Sequence, residues 1–300
     1  MELPAGWPLV PGPCPLAPFM SDRYFVEKPI SADRVTLTGP EAHHLIHVMR
    51  AIAGTRVTLF DGSGDQFFAA VERVGRADVG LSILSREQVD HELPLKLTLG
   101  VALPKGDRQK WLVEKAVELG VTQIVPLRTE RGVAQPVEQT LARLRRAVIE
   151  ASKQCGRNRL LQIDDPQAWA DFIASAAATS CRFLVHPGGK ENAWKLADSV
   201  PLLRRSSAED GPDLSPRSTV RAQPAAHAAA DGDMVLAVGP EGGFADEEVA
   251  RAVAAGWRTV DLGPRILRVE TAALFLATVI AAQASAPPKT AIQGPVAPAE

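Results

Sequence analysis

Residues 234–284 read MVLAVGPEGGFADEEVARAVAAGWRTVDLGPRILRVETAALFLATVIAAQA, and their pattern predicts strands, glycine-rich turns and helices in succession. Met234–Val238 is short and wholly apolar, which is typical of a strand buried on both faces of a parallel sheet. A glycine-rich turn, Gly239–Gly243, follows it directly. Val260–Leu262 is predicted to be the next strand. Thr271–Ala284 is predicted to be a helix that is apolar almost all round, so it must be buried in the core or against another subunit.

Each of these strands ends in a glycine turn, GPEGG at Gly239–Gly243 and Gly263-Pro264 after the second strand. Open α/β sheets bind ligands at the carboxyl ends of their strands, and glycine lets backbone amides approach a ligand closely. Taken alone, GPEGG is explained equally well by a plain tight turn. The chain has neither the G-x-G-x-x-G fingerprint nor a Walker lysine motif at these turns, which disfavours a Rossmann oxidoreductase and a nucleoside triphosphate site.

Length and charge limit the possible partners. The 300 residues suffice for two domains, and the formal net charge of −2 gives no general affinity for polyanions, so any nucleic-acid contact must come from a local patch. Cys14, Cys155 and Cys181 lack zinc-site spacing and are odd in number, which is typical of reduced thiols in the cytoplasm. A membrane span needs about 20 apolar residues, and every such run is broken by turn residues, so we expect no membrane partner.

Residues 21–90 predict a small β-rich domain, because runs of β-branched and aromatic residues alternate with turn signals. The predicted strands are Arg23–Val26, Arg34–Leu37, Arg56–Phe60, Phe67–Val74 and Val79–Leu84. One predicted helix, Pro40–Ile52, interrupts them and carries Leu45, Val48 and Ile52 on one face. His43 and His47 have a spacing that can bind a metal, but no HExxH glutamate and no third ligand accompanies them. We therefore favour a solvated or RNA-facing basic edge and predict no metal.

Residues 95–284 predict an α/β domain in which strands and helices alternate. The first elements are strand Leu97–Leu103, helix Arg108–Leu119, strand Thr122–Pro126 and a long helix from Pro136 to Cys155. Around the end of that helix, six cations form either a solvated face or a phosphate-contacting patch: Arg143, Arg145, Arg146, Lys153, Arg157 and Arg159. Residues 1–20, the insertion 201–233 and the tail 285–300 are expected to be disordered, with Met20 as an alternative start to Met1.

Several motifs together resemble one known family. GPEGGF at 239–244 and LGPRILRVETA at 262–272 are similar to the paired cofactor loops of the RsmE-type ribosomal RNA uridine-N3 methyltransferases, which belong to the SPOUT class. KGDRQKWLVEKAVELGVTQIVPL at 105–127, EASKQCGR at 150–157 and HHLIHVMR at 43–50 resemble further segments of that family. One departure is that Arg159-Leu160-Leu161-Gln162 stands where the family pattern has a proline.

The resemblance implies a SPOUT-type parallel sheet with a C-terminal trefoil knot, preceded by a small β-rich PUA-like RNA-binding domain. It implies S-adenosylmethionine as methyl donor, N3 of a uridine in 16S ribosomal RNA as acceptor and the assembled small subunit as the setting. It also implies a cytoplasmic homodimer whose active site draws on both subunits, with Thr271–Ala284 at the interface.

Site residues are expected on the two loops. Glu241 and Glu270 are candidate bases for the N3 proton, with helix capping or an ion pair with an arginine as the structural alternatives, and Arg268 is a candidate anion stabiliser. The predicted cofactor-binding residues are Leu236, Gly239, Pro240, Glu241, Gly242, Gly243, Leu262, Gly263, Ile266, Leu267 and Arg268. The predicted RNA contacts are Arg23, His43, His44, Arg50, Arg131 and Arg157.

Two other functions stay open at this point. One is a SPOUT enzyme with a different RNA target, such as ribose 2′-O methylation of transfer RNA. The other is a non-catalytic RNA-binding protein, which the intact loops at 239–243 and 262–270 disfavour.

Overall fold

The computed structural model describes residues 22–132, 137–176, 181–193 and 233–285. The chain divides between Val89 and Asp90 into two compact units, each with its own core. The stretches expected to be disordered (1–20, 201–233 and 285–300) lie outside the described residues, apart from Asp233 and Ser285.

The first unit is built on a five-stranded sheet in the order β1-β3-β4-β5-β2. Its strands are β1 (Arg23–Phe25), β2 (Arg34–Thr38), β3 (Arg56–Phe60), β4 (Asp65–Val74) and β5 (Asp78–Gln88). All neighbours are antiparallel except β1 and β3. Alternate residues of β4, from Asp65 to Val71, are buried, which is the pattern of a sheet with one face on the core. The β-rich front domain predicted from the sequence is confirmed.

The helix of the first unit corrects a sequence expectation. Helix α1 (Gly39–His43) continues as a π-helical turn, His44–Val48, instead of one α-helix to Ile52. A π-helical turn adds a residue to the helical repeat, and the residues after it are rotated about the helix axis. Leu45 is therefore buried as predicted, whereas Val48 and Ile52 are 60% and 72% exposed.

The second unit contains a parallel sheet in the order β11-β13-β10-β12-β6-β7-β8, with β9 paired to β7. The strands are β6 (Leu97–Val101), β7 (Gln123–Arg128), β8 (Gln162–Ile163), β9 (Gln167–Ala168), β10 (Cys181–Val185), β11 (Glu191–Asn192), β12 (Met234–Val238) and β13 (Arg258–Asp261). Every residue of the central strands β6 and β12 is buried, which explains why apolar and small residues dominate both in sequence.

Helices cover both faces of this sheet. They are α2 (Arg108–Glu118), α3 (Glu138–Cys155), α4 (Trp169–Ser175), α5 (Asp246–Ala254) and α6 (Val269–Ala284). Leu236 packs into the cluster under α2, α3 and α6, whereas its neighbours Val235 and Ala237 pack with Trp169 and Trp257 on the opposite face. Alternate residues of β12 thus serve two cores. The C-terminal trefoil knot stays a prediction. No described helix is long and apolar enough to cross a membrane.

Candidate active site

Three chain segments leave the carboxyl edge of the sheet close to one another. α2 begins after β6, the turn Gly239–Gly243 follows β12, and residues 262–268 connect β13 to α6. Arg108, the first residue of α2, joins the other two segments: its Nη2 lies 3.4 Å from Glu241 Oε1, and its Nη1 lies 3.7 Å from Glu270 Oε1. We call Arg108, Glu241 and Glu270 the Arg108 cluster. Both candidate bases lie in this cluster.

The two carboxylates differ in their surroundings. Glu241 is exposed on its turn, whereas Glu270 lies in the first turn of α6 and is only 5% exposed. Among the described residues, Glu270 Oε2 has no hydrogen-bond donor. A buried acceptor without a partner costs free energy, and the cost is larger for a charged group, so this carboxylate oxygen is expected to meet a donor from water or from a ligand. The carboxylate of Glu270 is thus the strongest sign of a ligand site here.

Packing explains much of the glycine turn. A Cβ atom on Gly239 would lie 2.9 Å from Phe244 Cδ2, so the side chain of Phe244 occupies the space beside this glycine. Gly243 adopts a positive φ of 69°, a conformation that other residues rarely adopt. A Cβ atom on Gly242 would meet only the side chain of Arg131, at 3.6 Å. Pro240 is buried. The glycines at 239 and 243 are therefore required by the turn itself.

A pair of charged side chains fixes this turn to the loop after β7. Arg131 Nη1 donates hydrogen bonds to the carbonyl oxygens of Gly242 and Phe244, at 3.1 and 3.4 Å. Glu248 of α5 accepts hydrogen bonds from the backbone N–H groups of Glu130 and Ala245, each at 2.9 Å. We call Arg131 and Glu248 the loop clamp. The predicted RNA contact Arg131 thus has a local structural role as well.

The second predicted cofactor loop is largely open to solvent. Ile266 is 100% exposed, and Gly263 and Arg268 are also exposed. Leu262 and Leu267 are partly buried and pack against the main core. Leu236, one of the predicted cofactor-binding residues, lies inside that core with 0% exposure. Its position makes it a support for the turn and corrects the expectation that its side chain faces a ligand.

The first unit carries most of the other predicted RNA contacts. His43 and His47 expose their rings with centroids 4.5 Å apart, and Arg50 is exposed with a φ of 52°. The His44 Nδ1 atom lies 3.3 Å from the Tyr24 hydroxyl. Burial raises the pKa of Tyr24 well above its ordinary value, and the charges of Asp22 and Glu41 add to this effect. Tyr24 therefore stays protonated, and its hydroxyl group lies within hydrogen-bond distance of His44 Nδ1.

Arg23 is partly buried in the same unit. Its guanidinium lies 5.1 Å from the centre of the Phe60 ring, and Nη1 donates to Gln66 Oε1 at 3.2 Å. These contacts hold the predicted RNA contact Arg23 against the sheet of the first unit.

Arg157 is placed differently from its prediction. It is 3% exposed, it pairs with Glu92 through both Nε and Nη2, and its Nη1 donates to the carbonyl oxygens of Val117 and Val121 at 2.9 and 3.0 Å. A guanidinium enclosed in this way cannot reach a phosphate. Arg157 has a structural role in place of the predicted RNA contact.

Arg108 is the site residue that the sequence analysis missed. The available signal was its position just after an apolar strand, within the KGDR segment, because strand carboxyl ends are where such folds bind ligands. Within the ranges described, no group of three or more His, Cys, Asp or Glu side chains is placed to hold a metal ion.

Two family models match the chain, an RNA methyltransferase domain over residues 91–281 and an RNA methyltransferase PUA domain over residues 37–81. Together with the fold and the site, these matches define the class of protein: an RNA methyltransferase that carries a PUA domain. Ribosomal RNA small subunit methyltransferase E of Synechocystis is 34% identical over 238 residues, which cover 79% of this chain and 69% of that protein. The Bacillus subtilis protein of the same name is 25% identical over 269 residues, which cover 87% of this chain and 96% of that protein. The chain belongs to the ribosomal RNA small subunit methyltransferase E family.

Solved structures agree with this assignment. The protein of this family from Neisseria gonorrhoeae, bound to S-adenosyl methionine, has a TM-score of 0.67 at 28% identity and covers 88% of this chain and 97% of its own. A Legionella pneumophila protein solved with bound SAM has a TM-score of 0.70 at 30% identity, with 87% and 97% covered. The resemblance and the fold class predicted from the sequence, a SPOUT-type parallel sheet after a PUA-like unit, are confirmed.

Proposed function

We propose that this protein transfers a methyl group from S-adenosylmethionine to N3 of a uridine in 16S ribosomal RNA. The names of the relatives and the donor bound in the Neisseria structure support the reaction class. The observation in this chain that carries the proposal is the Arg108 cluster, where an arginine and two carboxylates meet at the strand ends that ligands use in this class of fold.

The residues present fit the methyl donor. The unpartnered Oε2 of Glu270 can accept a hydrogen bond from one of the donor's N–H groups, and the backbone of Gly239–Gly243 and residues 262–268 can approach adenosine. Leu262 and Leu267 offer apolar surface beside that backbone. When bound, the donor supplies a methyl group that is activated by a sulfonium.

The chain's own residues would prepare the acceptor. N3 of uracil is a poor nucleophile until its proton leaves, and Glu241 and Glu270 are the carboxylates proposed to accept that proton. Negative charge then develops on O2 and O4 of the base. Arg268 is the cation proposed to stabilise it, with most of the rate enhancement coming from positioning.

We propose 16S ribosomal RNA within the assembled small subunit as the partner, in the cytoplasm. The exposed side chains of His43, His47 and Arg50, next to exposed Val48 and Ile52, give the first unit a basic and partly apolar surface that suits RNA. We also propose a homodimer through α6, because this helix is almost wholly apolar and yet Thr271 and Thr278 are exposed in the single chain.

The test is methylation of small subunits from cells that lack this enzyme, with labelled donor and nucleoside mass spectrometry. We expect 3-methyluridine from the wild-type protein and its loss in Gly242→Arg, which adds a cation beside Arg131 on the turn. Ala250→Arg adds the same side chain at an exposed position on α5 and should retain activity. Label on a ribose would contradict the proposed target in favour of 2′-O methylation. The absence of both label and donor binding would indicate a non-catalytic RNA-binding protein.

A further inference from the structure

Arg108 is held by two carboxylates that come from different strand ends. The contacts of 3.4 Å to Glu241 and 3.7 Å to Glu270 use separate nitrogen atoms of one guanidinium. Lys110, two residues further along the same helix, instead pairs with Glu114 on α2 itself at 3.4 Å. Arg108 is therefore directed towards the strand ends, whereas its neighbouring cation stabilises only its own helix.

The contact between Arg108 and Glu270 uses only Oε1 of the carboxylate. Oε2 is buried and has no hydrogen-bond donor among the residues described, although it lies in the first turn of a helix, where backbone N–H groups are free to donate. If the function of Glu270 were to cap α6, Oε2 would accept one of those N–H groups. It accepts none, so Glu270 does not cap α6 through a hydrogen bond to Oε2.

We propose that Arg108 is a positioning residue, which orients the Glu270 carboxylate through Oε1 so that Oε2 accepts a hydrogen bond from an N–H group of a bound ligand. Two sources of that N–H exist in the reaction, the methyl donor, with its amino groups, and the uracil, with N3–H. This inference rests on the proposed function for the identity of the ligands. The contacts within the Arg108 cluster do not depend on it.

A double-mutant cycle tests the proposal. The variants are Arg108→Gln, Glu270→Gln and the double variant, with Arg108→Lys as a milder change and Lys110→Gln as a control that removes one positive charge from the same helix. Each protein is measured in three ways: dissociation constant for S-adenosylmethionine by calorimetry without RNA, single-turnover methylation rate on small subunits, and melting temperature.

We expect Arg108→Gln to weaken donor affinity or the methylation rate by about tenfold in the wild-type background, which is within the range for coupled groups in contact. In the Glu270→Gln background, Arg108→Gln should lower the same quantity by less than about twofold, because Arg108 acts through that carboxylate. Lys110→Gln should leave both quantities unchanged. Arg108→Lys keeps the positive charge but lacks the planar fork of the guanidinium. It should therefore lower donor affinity or the methylation rate by less than Arg108→Gln does.

The source of the N–H is identified by the quantity that changes. If the dissociation constant for the donor is larger in the variant without RNA, the N–H belongs to the donor. If this constant is unchanged and the methylation rate is lower, the N–H belongs to the uridine. Additive losses from the two substitutions would overturn the proposal, and so would a drop in melting temperature that alone accounts for the lost activity. If the wild-type protein methylates a position other than N3 of uridine, the proposed function fails, while the double-mutant cycle, measured on donor affinity and on the methylation rate of the RNA that is modified, still decides whether Arg108 acts through Glu270.

Discussion

The guanidinium of Arg157 fills the space between the end of α2 and the segment that precedes β6. It neutralises Glu92 and donates hydrogen bonds to two carbonyl oxygens, that of Val117 in the last turn of α2 and that of Val121 just after this helix. Removal of one partner from a buried ion pair leaves the other charge and the carbonyl groups without compensation.

We expect Arg157→Ala to lower the free energy of unfolding by about 3–5 kcal/mol, as for other broken buried ion pairs. The matched control is Arg159→Ala, because Arg159 is exposed and only two residues away. Urea unfolding followed by circular dichroism measures both. Equal stability of the two variants would contradict the structural role of Arg157 and restore an RNA contact as its function.

Sequence patterns locate an arginine along the chain but do not reveal which residues enclose it. Arg157 stands in the sequence beside five other cations, yet Glu92, its partner, comes from a distant segment. The same reason applies to Arg108. Its partners Glu241 and Glu270 are distant in the sequence and come near it only once the parallel sheet has formed. Roles that depend on long-range contacts could not be predicted from local composition.

At the scale of elements, the loop clamp joins a helix to two loops. Glu248, in the first turn of α5, accepts a hydrogen bond from Ala245 at the start of that helix and another from Glu130 in the loop after β7. One carboxylate therefore both caps α5 and ties the start of this helix to the loop after β7.

Glu248→Ala should loosen this connection between α5 and the loop after β7. We expect the loss of about 1 kcal/mol of stability, the usual value of a lost cap, together with faster hydrogen exchange of the backbone amides of Glu130 and Ala245. Hydrogen–deuterium exchange with mass spectrometry measures this directly. Glu247→Ala removes the same charge from an exposed neighbour, so exchange rates that rise equally in both variants would refute the clamp.

Elements with a strong hydrophobic pattern were predictable. Met234–Val238 has the same bounds in sequence and structure, and α6 differs only at its start. The failures lie where backbone geometry departs from a regular repeat. The π-helical turn at His44–Val48 moves Val48 to the surface, and the loop that carries Ile266 has no periodicity from which its exposure could be inferred.

For the whole molecule, the homodimer can be tested on α6. Thr278 is exposed and its hydroxyl donates to the carbonyl oxygen of Leu274 at 2.8 Å, so its methyl group remains part of an apolar helix surface. We expect Thr278→Arg to convert a dimer into a monomer, because a charge buried in an apolar interface lacks a partner. Analytical ultracentrifugation gives the mass of each species. Ala250→Arg on α5 serves as the control, and a Thr278→Arg protein that stays dimeric would exclude this face.

The order of strands in the parallel sheet has a consequence for synthesis. Strand β6 pairs on one side with β7, which follows it closely in the sequence. On its other side it pairs with β12, which is synthesised much later, as residues 234–238. A nascent chain that has not reached Met234 therefore presents an unpaired apolar strand edge, the kind of surface that chaperones bind. The time that translation needs to cover this interval sets the earliest moment at which the sheet can close.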